Sequence, residues 1–144
     1  MTQTIKKPAK SPYEGLQDHI PTFPTPPIET FKNVYPGRDY VIEMTVPEFT
    51  AICPKTGLPD FGTLHIEYTP DKQCIELKSF KEYIVSYRSL GIFHEYVVNK
   101  VLDDFVKACK PRKAQIHGDF HVRGGITIRV TARYERARRT RSRR

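Results

Sequence analysis

A chain of 144 residues can bury one modest core but not two, so a single module is expected. Its net charge of +8 invites a nucleic-acid reading, yet six arginines from Arg136 to Arg144 supply most of the excess, and such a run reads as a solvated tail drawing polyanions non-specifically. Three cysteines at no metal-ligand spacing argue against a disulfide framework and offer no metal site, and the lack of a long apolar run argues against a membrane span or export and for a cytoplasmic protein.

Residues 1–30 carry Pro8, Pro12, Pro21, Pro24, Pro26 and Pro27 and read as an extended arm. Tyr13, Leu16, Ile20, Phe23 and Ile28 give the arm apolar anchors for docking, a subunit boundary included. Residues 31–135 are expected to form the domain and residues 136–144 the tail. The β-branched run over 40–52 predicts one long strand, bulged at Pro47 and leading into Cys53. Residues 63–68 alternate, 69–72 supply a turn and 74–77 resume extended structure, so 63–68 and 74–77 are expected to pair.

Ser79 to Glu82 fits a capping box, with Ser79 as N-cap and Glu82 reaching back, and opens a first helix. A second helix is predicted from about Phe93 to Pro111, with Phe93, Tyr96, Val97, Val101, Phe105 and Ala108 on its apolar face. Glu95, Lys100, Asp103 and Lys107 fall on the face left for water or a site. Strict alternation over 114–122 and 126–132, around Arg123-Gly-Gly125, predicts a closing hairpin. The order is ββααββ, an α+β fold with an antiparallel sheet and two helices on one face, whose open edges favour joining to copies of itself.

The chemistry-bearing residues gather around a turn. Cys53 and Asp60 flank Cys53-Pro-Lys-Thr-Gly-Leu-Pro-Asp60, and a thiol is strongly nucleophilic near neutral pH. A carboxyl returned to it by a Pro- and Gly-containing turn can serve as its proton partner, which suggests covalent addition to a carbon electrophile. Cys74, in a strand, and Cys109, beside the helix stripe, read as packing residues. His65, His117 and His121 lack companions at metal spacing, whereas His94 adjoins Glu95 near a helix start. Glu76-Leu-Lys-Ser-Phe-Lys81 sets Lys78 and Lys81 where a strand enters a helix, a candidate anion cradle that Arg123 can complete. No Gly-x-Gly-x-x-Gly or Walker sequence is present.

Glu76-Leu-Lys-Ser-Phe-Lys-Glu-Tyr83, with residues 49–60 upstream and Phe93-His-Glu95 and Arg123-Gly-Gly125 downstream, resembles the NADPH-dependent 7-cyano-7-deazaguanine reductases, the QueF family. The resemblance runs from about Tyr35 to Thr131, and seven of the eight positions of the family signature match. Glu82 stands where Leu or Tyr is usual. The resemblance implies the tunnelling fold in its single-module form, in which subunits join their sheets into barrels with sites between chains.

It also implies a mechanism. Cys53 would attack the nitrile carbon of preQ0 to give a thioimide, Asp60 would supply the proton, and NADPH would deliver two hydrides in turn to give the amine preQ1, for queuosine in tRNA. Glu95 would hold the heterocycle, His94 would aid proton delivery or cofactor placement, and Glu76 would form pocket wall. Lys78, Lys81 and Arg123 would take the cofactor phosphates. Two other readings stay open: an amidine-forming relative in the same fold that shares Cys53, Asp60 and Glu95, and a nucleic-acid-binding module using the arginine tail.

Overall fold

The computed structural model describes residues 11–137, so most of the arginine tail lies outside the described residues. In chain order the elements are β1 (Thr30–Lys32), β2 (Ile42–Ile52), β3 (Pro59–Thr69), β4 (Gln73–Ile75), α1 (Leu77–Val85), α2 (His94–Cys109), β5 (Lys113–Arg123) and β6 (Ile126–Glu135), with short 3-10 turns at Ile20–Thr22 and Ser86–Ser89. The long strands form one antiparallel sheet in the order β2-β3-β5-β6, which realises the ββααββ arrangement.

Period two sorts the sheet's faces. Leu64, Ile66 and Tyr68 of β3 and Ala114, Ile116 and Phe120 of β5 are buried on the helix side, while His65, Glu67 and His121 face out. α2 answers with Val97, Val98, Val101, Leu102 and Phe105, all buried at helical spacing against β5 and β6. Each such side chain contributes about 1.5–3 kcal/mol by leaving water. Lys100, expected on the wet face, is instead buried and paired with Asp104 at 3.1 Å, because Asp104 one turn on gives the ammonium an ionic partner.

The register between β2 and β3 shifts between Val46 and Phe49, which is the bulge expected at Pro47, a residue that cannot donate to the ladder. A second shift between Phe120 and Arg123, with positive φ at Gly124 and Gly125, closes the β5–β6 hairpin.

Two local expectations fail where the end of the arm meets the start of α1. Residues 74–77 do not pair with 63–68; β4 pairs with β1, Phe31 opposite Cys74, and the fold thereby ties the end of the arm to the start of α1. The N-cap of α1 is Glu76, not Ser79: Glu76 has extended φ −85 and ψ 124 and accepts from Lys78 N and Ser79 N, both at 2.7 Å. Ser79 is already inside the helix, buried, where its hydroxyl donates to Glu76 O and accepts from Glu29 N of the arm.

Of the arm's anchors Ile20 is buried and Ile28 packs against the core, while Leu16 and Phe23 stay exposed. Arg136, expected to open a solvated tail, is held by Asp71 at 2.5 Å and extends the ladder through its N–H to Arg112 O. No helix among the described residues is long and apolar enough to cross a membrane.

Candidate active site

The tight turn between β2 and β3 is closed by Cys53 N donating to Leu58 O and Gly57 N donating to Cys53 O, each at 2.8 Å, with Gly57 at φ 69. Cys53 therefore sits at the strand end, partly exposed, while Cys74 and Cys109 are buried. Burial pushes the Cys53 thiol up, but hydrogen bonds from the Thr56 hydroxyl and the Thr56 and Lys55 N–H groups favour the thiolate and outweigh it. The net shift is downward, against a small upward push from the Asp60 charge, which places the carboxyl within electrostatic reach of the sulfur. Cys109 is the contrast, its thiol pushed up to about 12 chiefly by burial.

Asp60 pairs in register with Ala51 and is 5 % exposed, a carboxyl drawn into the helix side of the sheet. It meets two basic side chains. Arg123 Nε lies 2.8 Å from Asp60 Oδ1, brought there by the β5 bulge, and its Nη2 donates to Pro59 O. His94 Nε2 lies 3.2 Å from Asp60 Oδ2. Proximity is not alignment here: Asp60 Oδ1 and His94 Nε2 are both buried without a well-directed hydrogen bond, so the cluster retains unspent polar capacity.

His94 is set by its floor. It opens α2 and its ring lies flat on Phe120, centroids 4.0 Å apart and planes 5° from parallel. Phe120 can lie there because Gly62 and Gly118 flank it; a Cβ on either would come within 2.8 Å of the Phe120 ring. Glu95 follows on the first turn of α2, its side chain exposed.

The anion cradle takes a different form from the one expected. Glu76 fills the helix start, its carboxyl held below the usual carboxylate range by the N–H groups of Ser79 and Lys78, so those N–H groups are committed. Lys78 and Lys81 are exposed on α1, and Arg123 is held by Asp60. Within one chain Cys53, Asp60, His94 and Arg123 form one cluster; Lys78, Lys81 and Glu95 are exposed outside it, and Glu76 is half-buried as the cap of α1.

A family described as "QueF-like protein" matches residues 59–139. The NADPH-dependent 7-cyano-7-deazaguanine reductase of Chloroherpeton thalassium is 58% identical over 108 residues, covering 75% of this chain and 93% of the relative. The chain belongs to the QueF-like family. The reductase of the same name from Chlorobaculum tepidum is 54% identical over 111 residues, 77% of this chain and 95% of its own. A solved structure titled as the archaeosine synthase QueF-Like in the apo form superimposes with a TM-score of 0.63 at 20% identity, covering 68% of this chain and 96% of that one. That likeness shows the fold, the tunnelling fold expected from the signature.

Family membership frames what residue patterns alone left out. The roles of Thr56 as a donor toward the thiol and of Phe120 as a shelf for His94 have no motif of their own. The second had a signal, since Gly62 and Gly118 interrupt otherwise bulky core-facing positions in strands, where a missing side chain makes room for a neighbour.

Proposed function

We propose that the chain is an NADPH-dependent nitrile reductase, acting in the cytoplasm, that converts preQ0, 7-cyano-7-deazaguanine, to the aminomethyl product preQ1 for queuosine in tRNA. The observation that carries this reading is the juxtaposition of a thiol of lowered pKa with a buried carboxyl that keeps an unsatisfied oxygen. The reductase names of relatives at 58% and 54% identity support it.

Cys53 sulfur, as thiolate, forms a bond to the nitrile carbon, and one C–N π bond breaks toward nitrogen, which needs a proton. Asp60 is the donor, recharged from solvent, and His94 beside it can relay or hold that proton. Each NADPH, when bound, would supply one hydride, so the conversion needs two NADPH in succession, with the oxidised cofactor exchanged between them. The second reduction requires the C–S bond to break, so the thiolate of Cys53 leaves and is regenerated; its stabilisation by Thr56 and Lys55 serves that departure as well as the attack. Glu95 is proposed to accept from the N–H edge of the heterocycle, with Glu76 at the pocket wall.

Lys78 and Lys81 suit the phosphates because they are exposed point charges, and Arg123 can join them by exchanging the Asp60 carboxylate for a phosphate. The site end also exposes Leu58, Phe61, Val122 and Ile126, at 60%, 49%, 60% and 71%. Apolar exposure beside a catalytic cluster supports a homo-oligomer in which neighbouring copies cover and complete the site.

The test is NADPH oxidation with preQ0 and identification of the product by mass. Two NADPH consumed for each amine formed is the expected result. A stable Cys53 adduct with no oxidation would move the reading to the amidine-forming relative, and neither adduct nor oxidation would remove the nitrile chemistry altogether.

A further inference from the structure

Gln17 lies outside the family match at residues 59–139 and belongs to no signature, yet it is 9 % exposed and both ends of its amide are bonded far along the chain. Its Nε2 donates to Gly91 O at 2.9 Å and its Oε1 accepts from Phe93 N at 3.2 Å. On its other edge the same segment is held by β2, which ends at Ile52, one residue before Cys53. Ile52 N donates to Leu90 O and Ile92 N donates to Ile52 O, each at 3.0 Å, a parallel bridge one residue from the nucleophile.

The segment 90–93 is therefore clasped on both edges, by a β2 backbone on one side and on the other by a side-chain amide that takes the part of a neighbouring strand's peptide group. Two further contacts show that the arm is fitted to this place. A Cβ on Gly91 would collide with the Tyr13 ring, so the glycine makes room for the arm to pass, and Ile20 is sunk in the core at 3 % exposure. Phe93 is the N-cap of α2, and His94 is the next residue. A shift of this cap moves the imidazole relative to Asp60, which is 3.2 Å away.

We infer that Gln17 is a positioning residue for the reaction: the arm is a strap whose amide fixes the Gly91–Phe93 backbone and so sets His94 against Asp60, in register with Cys53. The inference rests on the reductase reading for its kinetic consequence, but the strap itself is a property of the fold.

Gln17→Met keeps the length of the side chain and removes both hydrogen bonds. Deuterium exchange over residues 90–96 is expected to quicken while residues 53–58 keep wild-type protection. Turnover per alkylatable Cys53, a count that discards any unfolded fraction, is expected to fall by about tenfold or more, since small misplacements near reacting atoms are costly. In a His94→Ala background the same substitution is expected to cost less than about twofold, because its effect passes through His94. Gln17→Glu retains the acceptor for Phe93 and loses the donor to Gly91, and should fall between Met and wild type.

Unchanged exchange over 90–96, a full loss that persists in the His94→Ala background, or Gln17→Glu as active as wild type would each overturn the inference. Absence of any turnover in the wild-type protein would instead sink the reductase reading, and the exchange result would still decide the strap.

Discussion

Cys53 owes its lowered proton affinity to a turn and not to a basic neighbour, and this makes its titration separable from that of the carboxyl beside it. Hydrogen bonds from Thr56 and Lys55 favour the thiolate, while the Asp60 charge opposes it. Thr56→Ala removes one donor, so the folded pKa rises, the thiolate fraction near neutral pH falls, and the rate of iodoacetamide alkylation should drop several-fold with its pH curve displaced upward. Asp60→Asn removes the opposing charge and should displace the same curve downward while abolishing turnover. Displacements in the same direction would sink the assignment. Cys53 and Asp60 were legible because Pro and Gly announce a turn and a turn brings its ends together. The approach of Arg123 to Asp60 was not, since it depends on a bulge between Phe120 and Arg123 that the alternation of 114–122 gives no hint of.

The elements divide in the same way. The Pro47 bulge could be read because a residue without an N–H interrupts a β-branched run, and α2 could be read from its apolar period. The β1–β4 pair could not, because three-residue strands carry too little pattern, and the turn over 69–72 made a local hairpin the simpler expectation. The start of α1 was misread because a carboxylate and a hydroxyl both cap helices, and what decides between them is which residue is extended.

Glu76 as cap has a measurable signature. Its folded pKa is depressed by the N–H groups of Ser79 and Lys78, so it adds stability above the unfolded carboxylate pKa and loses it as pH falls through the folded value. Glu76→Ala should lower the Tm by a few degrees near neutral pH, and melting curves of the two proteins should converge in acid. A gap that persists below the carboxylate range would mean that Glu76 stabilises by packing.

At the scale of the molecule, the outer strands of the sheet are β2, bridged to Gly91 only at Ile52, and β6, without a strand partner on its outer side among the described residues, and one face is almost entirely polar. If copies join through these edges and cover the apolar rim around Asp60, activity belongs to the assembly. Dilution followed by sedimentation should then show turnover per chain falling as the assembly dissociates, while Cys53, defined by its own turn, keeps its alkylation curve. Turnover that survives in a monodisperse monomer would refute intersubunit sites.

The direction of β6 bears on the arginines that follow it. The strand starts beside Arg123 at the Cys53 end and finishes where Asp71 grips Arg136 and Arg112. Its ten residues span about 30 Å at the rise of an extended chain. The last described residue, Ala137, therefore lies at the pole opposite the nucleophile. A probe introduced by substitution at Ala137 stands a full sheet length from the cluster of its own chain, which makes that pole the safer place to label the protein.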